Sequence, residues 1–353
     1  MQKRAKLRRW IFWPFVIFMG LALSVSYCSV FINPARLWLP AFFGLYFVPL
    51  VIINIFFFII LLIRRSSIAW FPFTALLPTL LFIELFIRWG TVDEVVSEVS
   101  VKVASYNVCN FQGYGKKTRD ETLVEISQFL DREKIDIVCM QEFFCPDTSI
   151  LRRLFPSFPY HCFGEQAKGK SYRGNLILSR HPVQYVGVIP FHNSRRNCIY
   201  ADFHLHGTSF RVYTTHFESN NISLNAIADR MRNYQEAPDE LLKVHIRIRD
   251  AFRIRAQQVE TLSQHLKNID TPFILCGDFN DTPVSYTYHR LQEGINDSFR
   301  HAGNGLGATF RYLWPGLRID YILFSNAFSA KSHVTTRVPF SDHYPVITEL
   351  IVL

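Results

Sequence analysis

Acidic side chains are almost missing from the start of the chain: residues 1–90 hold one, Glu84. The same stretch carries nine of the 38 Lys/Arg and only that one of the 29 Asp/Glu, which leaves 29 basic against 28 acidic side chains beyond it. The formal charge of +9 therefore belongs to the N-terminal part, and the near-neutral remainder gives no support for a broad nucleic-acid-binding surface. Cysteine pairs with metal spacing are absent too. The seven cysteines, at 28, 109, 139, 145, 162, 198 and 276, include no C-x-x-C, which argues against a structural zinc site or a dithiol redox motif. Their odd number, and the apolar runs around Cys139 and Cys276, argue against a disulfide framework. There is no repeat of fixed period and no low-complexity tract, so solenoid and fibrous architectures are excluded.

Charge is also missing from three long apolar stretches, at 10–32, 41–63 and 68–89. The first two contain none; in the third it is confined to the end, at Glu84 and Arg88. Each has the ~20 residues needed to cross a ~30 Å hydrocarbon layer. Trp10, Trp13, Trp38, Trp70 and Trp89 cluster near their ends, as interfacial anchors do. A cleaved signal peptide is the alternative for the first stretch, but Tyr27 before Cys28 spoils a lipoprotein cleavage site and two more stretches follow. Lys3, Arg4, Lys6, Arg8 and Arg9 keep the N-terminus cytoplasmic, and Arg64 and Arg65 fall on the same side. Three crossings then place everything after Trp89 outside, in a multi-pass protein of the bacterial inner-membrane type. The expected organisation is a membrane region over 1–90, an acidic linker over 91–98 and a further domain over 99–353.

From Val99 the apolar period becomes two, through Val101 and Val103, and the strand it predicts ends at Asn107. Thr118 and Glu121 form a capping box opening a helix with Leu123, Ile126 and Leu130 on one face. An apolar run from Ile135 ends on Gln141-Glu142, and another, beginning Arg173-Gly174-Asn175, stops at His181-Pro182. Phe210 to His216 is a further strand. A helical stretch from Asn220 to about Lys267 follows, with Ala256, Val259, Leu262 and Leu266 as its stripe and an extra excursion up to Pro238. The run Phe273-Ile274-Leu275-Cys276 then breaks at Gly277 into Asp278, Asn280 and Asp281. Strand ends present polar groups into clefts, and a carboxylate beside a carboxamide suits a water or a hard cation. Asp320 and the pair Asp342-His343 complete six polar endings in a row.

Taken in order, N-x-x-x-F, Q-E, R-G-N-x-x-L-S-R, T-H-x-x-S, G-D-F-N-D, R-I-D-Y-I and S-D-H-Y-P-V resemble the endonuclease/exonuclease/phosphatase superfamily, the DNase-I-like fold. The resemblance runs from about Val99 to Leu353. It implies a four-layered α/β sandwich and metal-dependent hydrolysis of phosphate esters by direct attack of water, with Mg²⁺ or Mn²⁺ as cofactor. Glu142 matches the family's principal metal ligand, assisted by Asn107, with Asp320 and Asp342 as outer or alternative ligands. Asp278 would orient or deprotonate the water and Asn280 would hold phosphate or water in line. His343, paired with Asp342, is an imidazole oriented by a carboxylate; it and Asp278 compete for the role of base. Tyr213 and His216 are expected at the same rim, His216 toward the leaving oxygen. Arg173 and Asn175 are candidates for substrate contact. Lys168, Lys170, Arg195 and Arg196 could meet phosphate too, but surface charge accounts for most of them.

The leading expectation is a membrane-anchored phosphoesterase. A basic run through Lys243, Arg247, Arg249, Arg253 and Arg255, together with the tether, favours a lipid-linked substrate over nucleic acid. An extracytoplasmic nuclease is the alternative within the family. A receptor or scaffold that kept the fold alone is the alternative of another class, and it should have lost Glu142, Asp278 or His343, all of which are present.

Overall fold

The computed structural model describes residues 2–89, 99–112, 117–164, 171–192, 194–205, 207–220, 237–312 and 316–353, with the backbone alone for 2–11, 237, 238, 240 and 241. The expected linker, the excursion before Pro238, Lys168 and Lys170 lie outside the described residues or side chains. The chain divides into two compact units. One comprises Met1–Leu85, Asn220–Ala256 and Thr282–His289; the other comprises Phe86–Ser219, Gln257–Asp281 and Arg290–Leu353.

The first unit holds α1 (Gln2–Tyr27), α2 (Leu39–Leu45), α3 (Phe47–Ile63) and α4 (Trp70–Leu76), the last continued by a 3-10 segment, Leu77–Leu85. Phe12–Val30 and Ser67–Leu85 are each long and apolar enough to cross a membrane. The stretch expected as a second straight span is instead α2 and α3, bent by 71°. Pro49 supplies the reason. It has no N–H to give the carbonyl of Leu45, and its ring crowds that carbonyl, so the helix breaks at Tyr46. The third stretch stops short of Trp89, because Ile87 and Arg88 pair as a strand with Leu306 and Gly305. Val244, Ile248 and Phe252 of a long helix, α6 (Ala237–Lys267), pack on Ala41, Phe42 and Leu45 within this unit. Arg247 and Arg253 are exposed on that helix. Arg255 is not on that basic face: it is fully buried, and its Nη2 donates to Asn220 at 2.8 Å.

The second unit is built on two six-stranded sheets. One takes the order β10 (Phe328–Thr335), β11 (Val346–Val352), β1 (Ser100–Asn107), β2 (Ile137–Cys145), β4 (Tyr172–Ser179), β3 (Tyr160–Phe163). The other runs from Asn296–Asp297 through β9 (Asp320–Phe324), β8 (Phe273–Asp278), β7 (Thr208–His216) and β6 (Asn197–Leu205) to β5 (Val183–Pro190). Their plans match: each has one parallel pair at its centre, β1 with β2 and β7 with β8, and antiparallel neighbours outside. A parallel pair needs a crossover, and α5 (Arg119–Arg132) and α6 supply the two.

Residues that alternate along the strands fill the space between the sheets: Val101, Ile137, Ile199, Val212, Ile274, Ile322 and Leu350 form one buried cluster. Leu123, Ile126 and Leu130 of α5 bury against Ala104, Val138 and Met140 on the outer face of the first sheet. Each such side chain contributes about 1.5–3 kcal/mol relative to exposure. The capping box is formed as expected, Thr118 accepting from the Glu121 N–H and Glu121 from the Thr118 N–H. On the second sheet's outer face lies the last part of α6, with Val259, Leu262 and Leu266 buried. Helix, sheet, sheet, helix is the α/β sandwich expected. All seven cysteines are free thiols.

Candidate active site

The two central parallel pairs end on one rim. Asn107, His216 and Asp278 are the last residues of β1, β7 and β8. Asp320 reaches the same rim by the opposite route: it is the first residue of β9, antiparallel to β8 and in register with Asp278. His343 precedes β11 in the same way, antiparallel to β1.

Glu142 lies within β2, where the register against β4 shifts between Met140 and Phe143 and the backbone of Glu142 turns to φ 50°. The bulge gives two consecutive side chains to the inner face. Gln141 crosses to the other sheet, donating to Thr214 Oγ1 at 2.9 Å, and Glu142 reaches to 3.6 Å from His216 Nε2. A non-glycine residue held at positive φ is strain retained for a purpose, here the aim of a carboxylate. Asn110 steadies that carboxylate, its Nδ2 donating to Oε2 at 3.3 Å.

Asp278 is the centre of the arrangement. It is buried, and its Oδ1 accepts from the Asn280 N–H at 2.8 Å while Oδ2 accepts from Asn107 Nδ2 at 2.9 Å. The same Oδ2 lies 3.5 Å from His216 Nε2 and 3.8 Å from His343 Nε2. Gly277 permits the close packing behind it: a Cβ there would sit 2.4 Å from the carbonyl oxygen of Thr215. Asn280, at φ 52°, donates its side-chain amide to the carbonyl of Phe217 at 3.2 Å.

The carboxylate that orients His343 is Asp320, not the adjoining Asp342 as the sequence suggested. Asp320 Oδ2 is 2.9 Å from His343 Nδ1. Asp342 lies in the bend before His343 and meets Ser341 Oγ at 3.2 Å. Ser341 also donates to the carbonyl of Asn107 and accepts from the His343 N–H, tying this loop to β1. Burial pushes the Asp278 carboxyl up, and the charge of Asp320 adds to it, to about 7. Burial would push His343 down, but Asp320 and Asp278 outweigh it and raise the imidazole to about 10.

Asp278, Asp320 and His343 offer ligand atoms that all lie within 4.8 Å of one another. Asp320 Oδ1 is buried with no hydrogen-bond partner among the described residues, as an oxygen reserved for a cation or a water would be. Oxygen donors from three carboxylates, with an amide and an imidazole beside them, fit a hard divalent ion.

Of the other residues expected at the site, Tyr213 faces away from it, while Asn175 lies across from the Glu142 bulge. Tyr213 and His216, three apart on one strand, face opposite sides, and the Tyr213 hydroxyl is 3.1 Å from His265 on the outer face. Asn175 is buried and bridges to the next sheet by donating to the carbonyl of Asn197 at 2.8 Å. Arg173 is exposed, its guanidinium 5.0 Å from the centre of the Phe144 ring. Two residues gain a place here that the sequence did not give them, Asn110 and Gln141, and Arg196, expected only as a cation that could meet phosphate, has its Nη1 2.5 Å from His216 Nδ1. Only Gln141 stood in a quoted motif.

Comparison with known proteins agrees with this fold. An uncharacterized protein, YbhP, of Escherichia coli K12 is 23% identical over 285 residues, covering 72% of this chain and 97% of its own. Among solved structures, a mannosyl-6-phosphatase from Bacteroides thetaiotaomicron superposes with a TM-score of 0.53 at 20% identity, covering 71% of this chain and 99% of that one. The human nocturnin catalytic domain with bound sulfate gives 0.52 at 19%, covering 72% and 94%. At these identities the structures speak for the fold alone. Residues 8–86 match a domain family of unknown function. Residues 104–343 match the endonuclease/exonuclease/phosphatase family, and the chain belongs to that family.

Proposed function

We propose that this protein is a membrane-anchored phosphoesterase that uses a divalent cation, Mg²⁺ or Mn²⁺, to hydrolyse a phosphate ester by direct attack of water. The observation that carries this reading is the buried trio Asp278, Asp320 and His343, joined to Glu142 and Asn107 through Asp278 and His216. Glu142, with Asn107 and Asp320, would hold the cation, whose charge neutralises the ester's phosphate and favours attack at phosphorus. Asp278, raised toward neutrality, is suited to take a proton from water. His343, held protonated by two carboxylates, is suited to donate a hydrogen bond or a proton to phosphate. In this division Asp278 is the base. Asn280, whose N–H donates to Asp278 Oδ1, keeps that carboxylate turned inward.

A lipid-linked ester is the preferred substrate. Arg247 and Arg253 are exposed on the part of α6 that packs on the apolar helices of its unit, where cations favour an anionic surface by about 1 kcal/mol each. Tethering also raises the effective concentration of any membrane-bound substrate. The test is the full-length protein in detergent with Mg²⁺, offered phospholipids, sphingolipids, phosphomonoesters such as sugar phosphates, plasmid DNA and RNA. Turnover should stop in EDTA, return with Mg²⁺ or Mn²⁺, and vanish in Glu142→Ala. Full activity in EDTA would overturn the cation's role, and degradation of DNA with every lipid left intact would replace the lipid reading with the nuclease one.

A further inference from the structure

Arg196 stands just before β6, and its Nη1 lies 2.5 Å from Nδ1 of His216. A guanidinium has only N–H donors, so the ring nitrogen that faces it has to be the acceptor. The ring proton of a neutral His216 is then on Nε2, the nitrogen 3.6 Å from Glu142 Oε1 and 3.5 Å from Asp278 Oδ2. Arg196 is itself held at two points. Its Nε is 3.5 Å from Glu218 Oε2, and its backbone N–H donates to Ser194 Oγ at 3.1 Å. Gln258 of α6 fixes both supports, donating to Ser194 Oγ at 3.1 Å and accepting from the Glu218 N–H at 2.9 Å. The Arg196 side chain is three-quarters buried, with 23% of it exposed, and its direction is set before any substrate arrives.

We propose, on the phosphoester reading of this site, that Arg196 is a positioning residue that locks His216 in the Nε2–H tautomer, so that the histidine offers an N–H donor and not a lone pair to the space between Glu142 and Asp278. Two consequences follow for the chemistry. In this tautomer Nε2 has no lone pair for a cation, so His216 stands outside the ligand set although it touches two carboxylates. What it gives a phosphate is a directed hydrogen bond to an oxygen that gains negative charge as the ester bond breaks. The surrounding protein, and not the solvent, decides which ring nitrogen carries the proton, as in sites where a second residue fixes an imidazole.

The direct test is ¹⁵N spectroscopy of the full-length, EDTA-treated protein labelled at histidine, at one alkaline pH, with His216 assigned by its loss in His216→Asn. Wild type should show a protonated Nε2 and an unprotonated Nδ1 at His216. Arg196→Met should populate the Nδ1–H form, and Arg196→Lys, which keeps a cationic donor, should restore the wild-type pattern. On a substrate found as above, Arg196→Met should lower kcat about tenfold or more with KM changed less than about threefold, and Arg196→Lys should recover most of it. A protonated Nδ1 in wild type, or an unchanged pattern in Arg196→Met, overturns the proposal. So does a loss confined to KM, which would make Arg196 a substrate-binding group. The nitrogen pattern needs no substrate, so the proposal can fail or stand whether or not the phosphoester reading does.

Discussion

Two carboxylates and an imidazole, all buried and within reach of one another, set the behaviour of the site at the scale of the residue. His343 is raised from 6.5 in the unfolded chain to about 10, so its contribution to stability is complete below pH 6.5 and is lost as pH rises toward 10. Asp278, raised from 3.8 to about 7, also favours its protonated form, and its contribution fades as pH rises from 3.8 through 7. In EDTA, the urea midpoint should therefore fall between pH 6.5 and 10. Asp320→Asn removes the charge that raises His343 most, and should bring that fall to lower pH; Asp342→Asn, whose charge raises it least, should leave it nearly in place. Equal effects of the two substitutions would contradict the Asp320–His343 pairing. That pairing was hidden in the sequence, where Asp342 adjoins His343 and Asp320 is 23 positions away. The types of the site residues were legible from the ordered motifs. Which of them touch depends on strand direction and register, as the placing of Tyr213 beside His265 also shows.

Among the elements, those governed by local chemistry were the ones read correctly. The capping box at Thr118 and Glu121 opened α5, and the stripe from Ala256 to Leu266 marked the buried face of α6. β5 was missed because its residues are largely exposed at the edge of a sheet and carry little alternation. The bend at Tyr46 was missed because apolarity measures length and is blind to the lost hydrogen bond at Pro49. Gly277 allows a contrast between two elements. In Gly277→Ala the added methyl meets the Thr215 carbonyl oxygen, so β7 and β8 must part; the cost should be about 1–3 kcal/mol. Because Asp278 follows directly, turnover should fall as well. Thr118→Ala, at the distant cap of α5, should cost about 1 kcal/mol and leave kcat unchanged. Measured together by urea unfolding and turnover, a Gly277→Ala protein of wild-type stability and rate would show that the strand approach is unimportant.

For the whole molecule, the count of crossings decides the side on which the second unit works. Among the described residues two helices are long and apolar enough to cross, and the bent pair α2–α3 makes a third if it crosses as one. With the basic N-terminus inside, three crossings put the second unit outside the cytoplasm. An alkaline phosphatase fused to the C-terminus should then be active and β-galactosidase inactive; the reverse would mean that the bent pair does not cross. The division of the chain bears on any attempt to work with a shortened protein. Val244, Ile248 and Phe252 belong to the unit of the apolar helices and pack on Ala41, Phe42 and Leu45, although they lie far downstream in sequence. A fragment begun at residue 99 would keep that face of α6 and lose what covers it. Such a fragment would be expected to cling to detergent and vesicles through a surface that the intact protein hides. Its sedimentation with lipid would report where the chain had been cut, and would be no guide to the substrate.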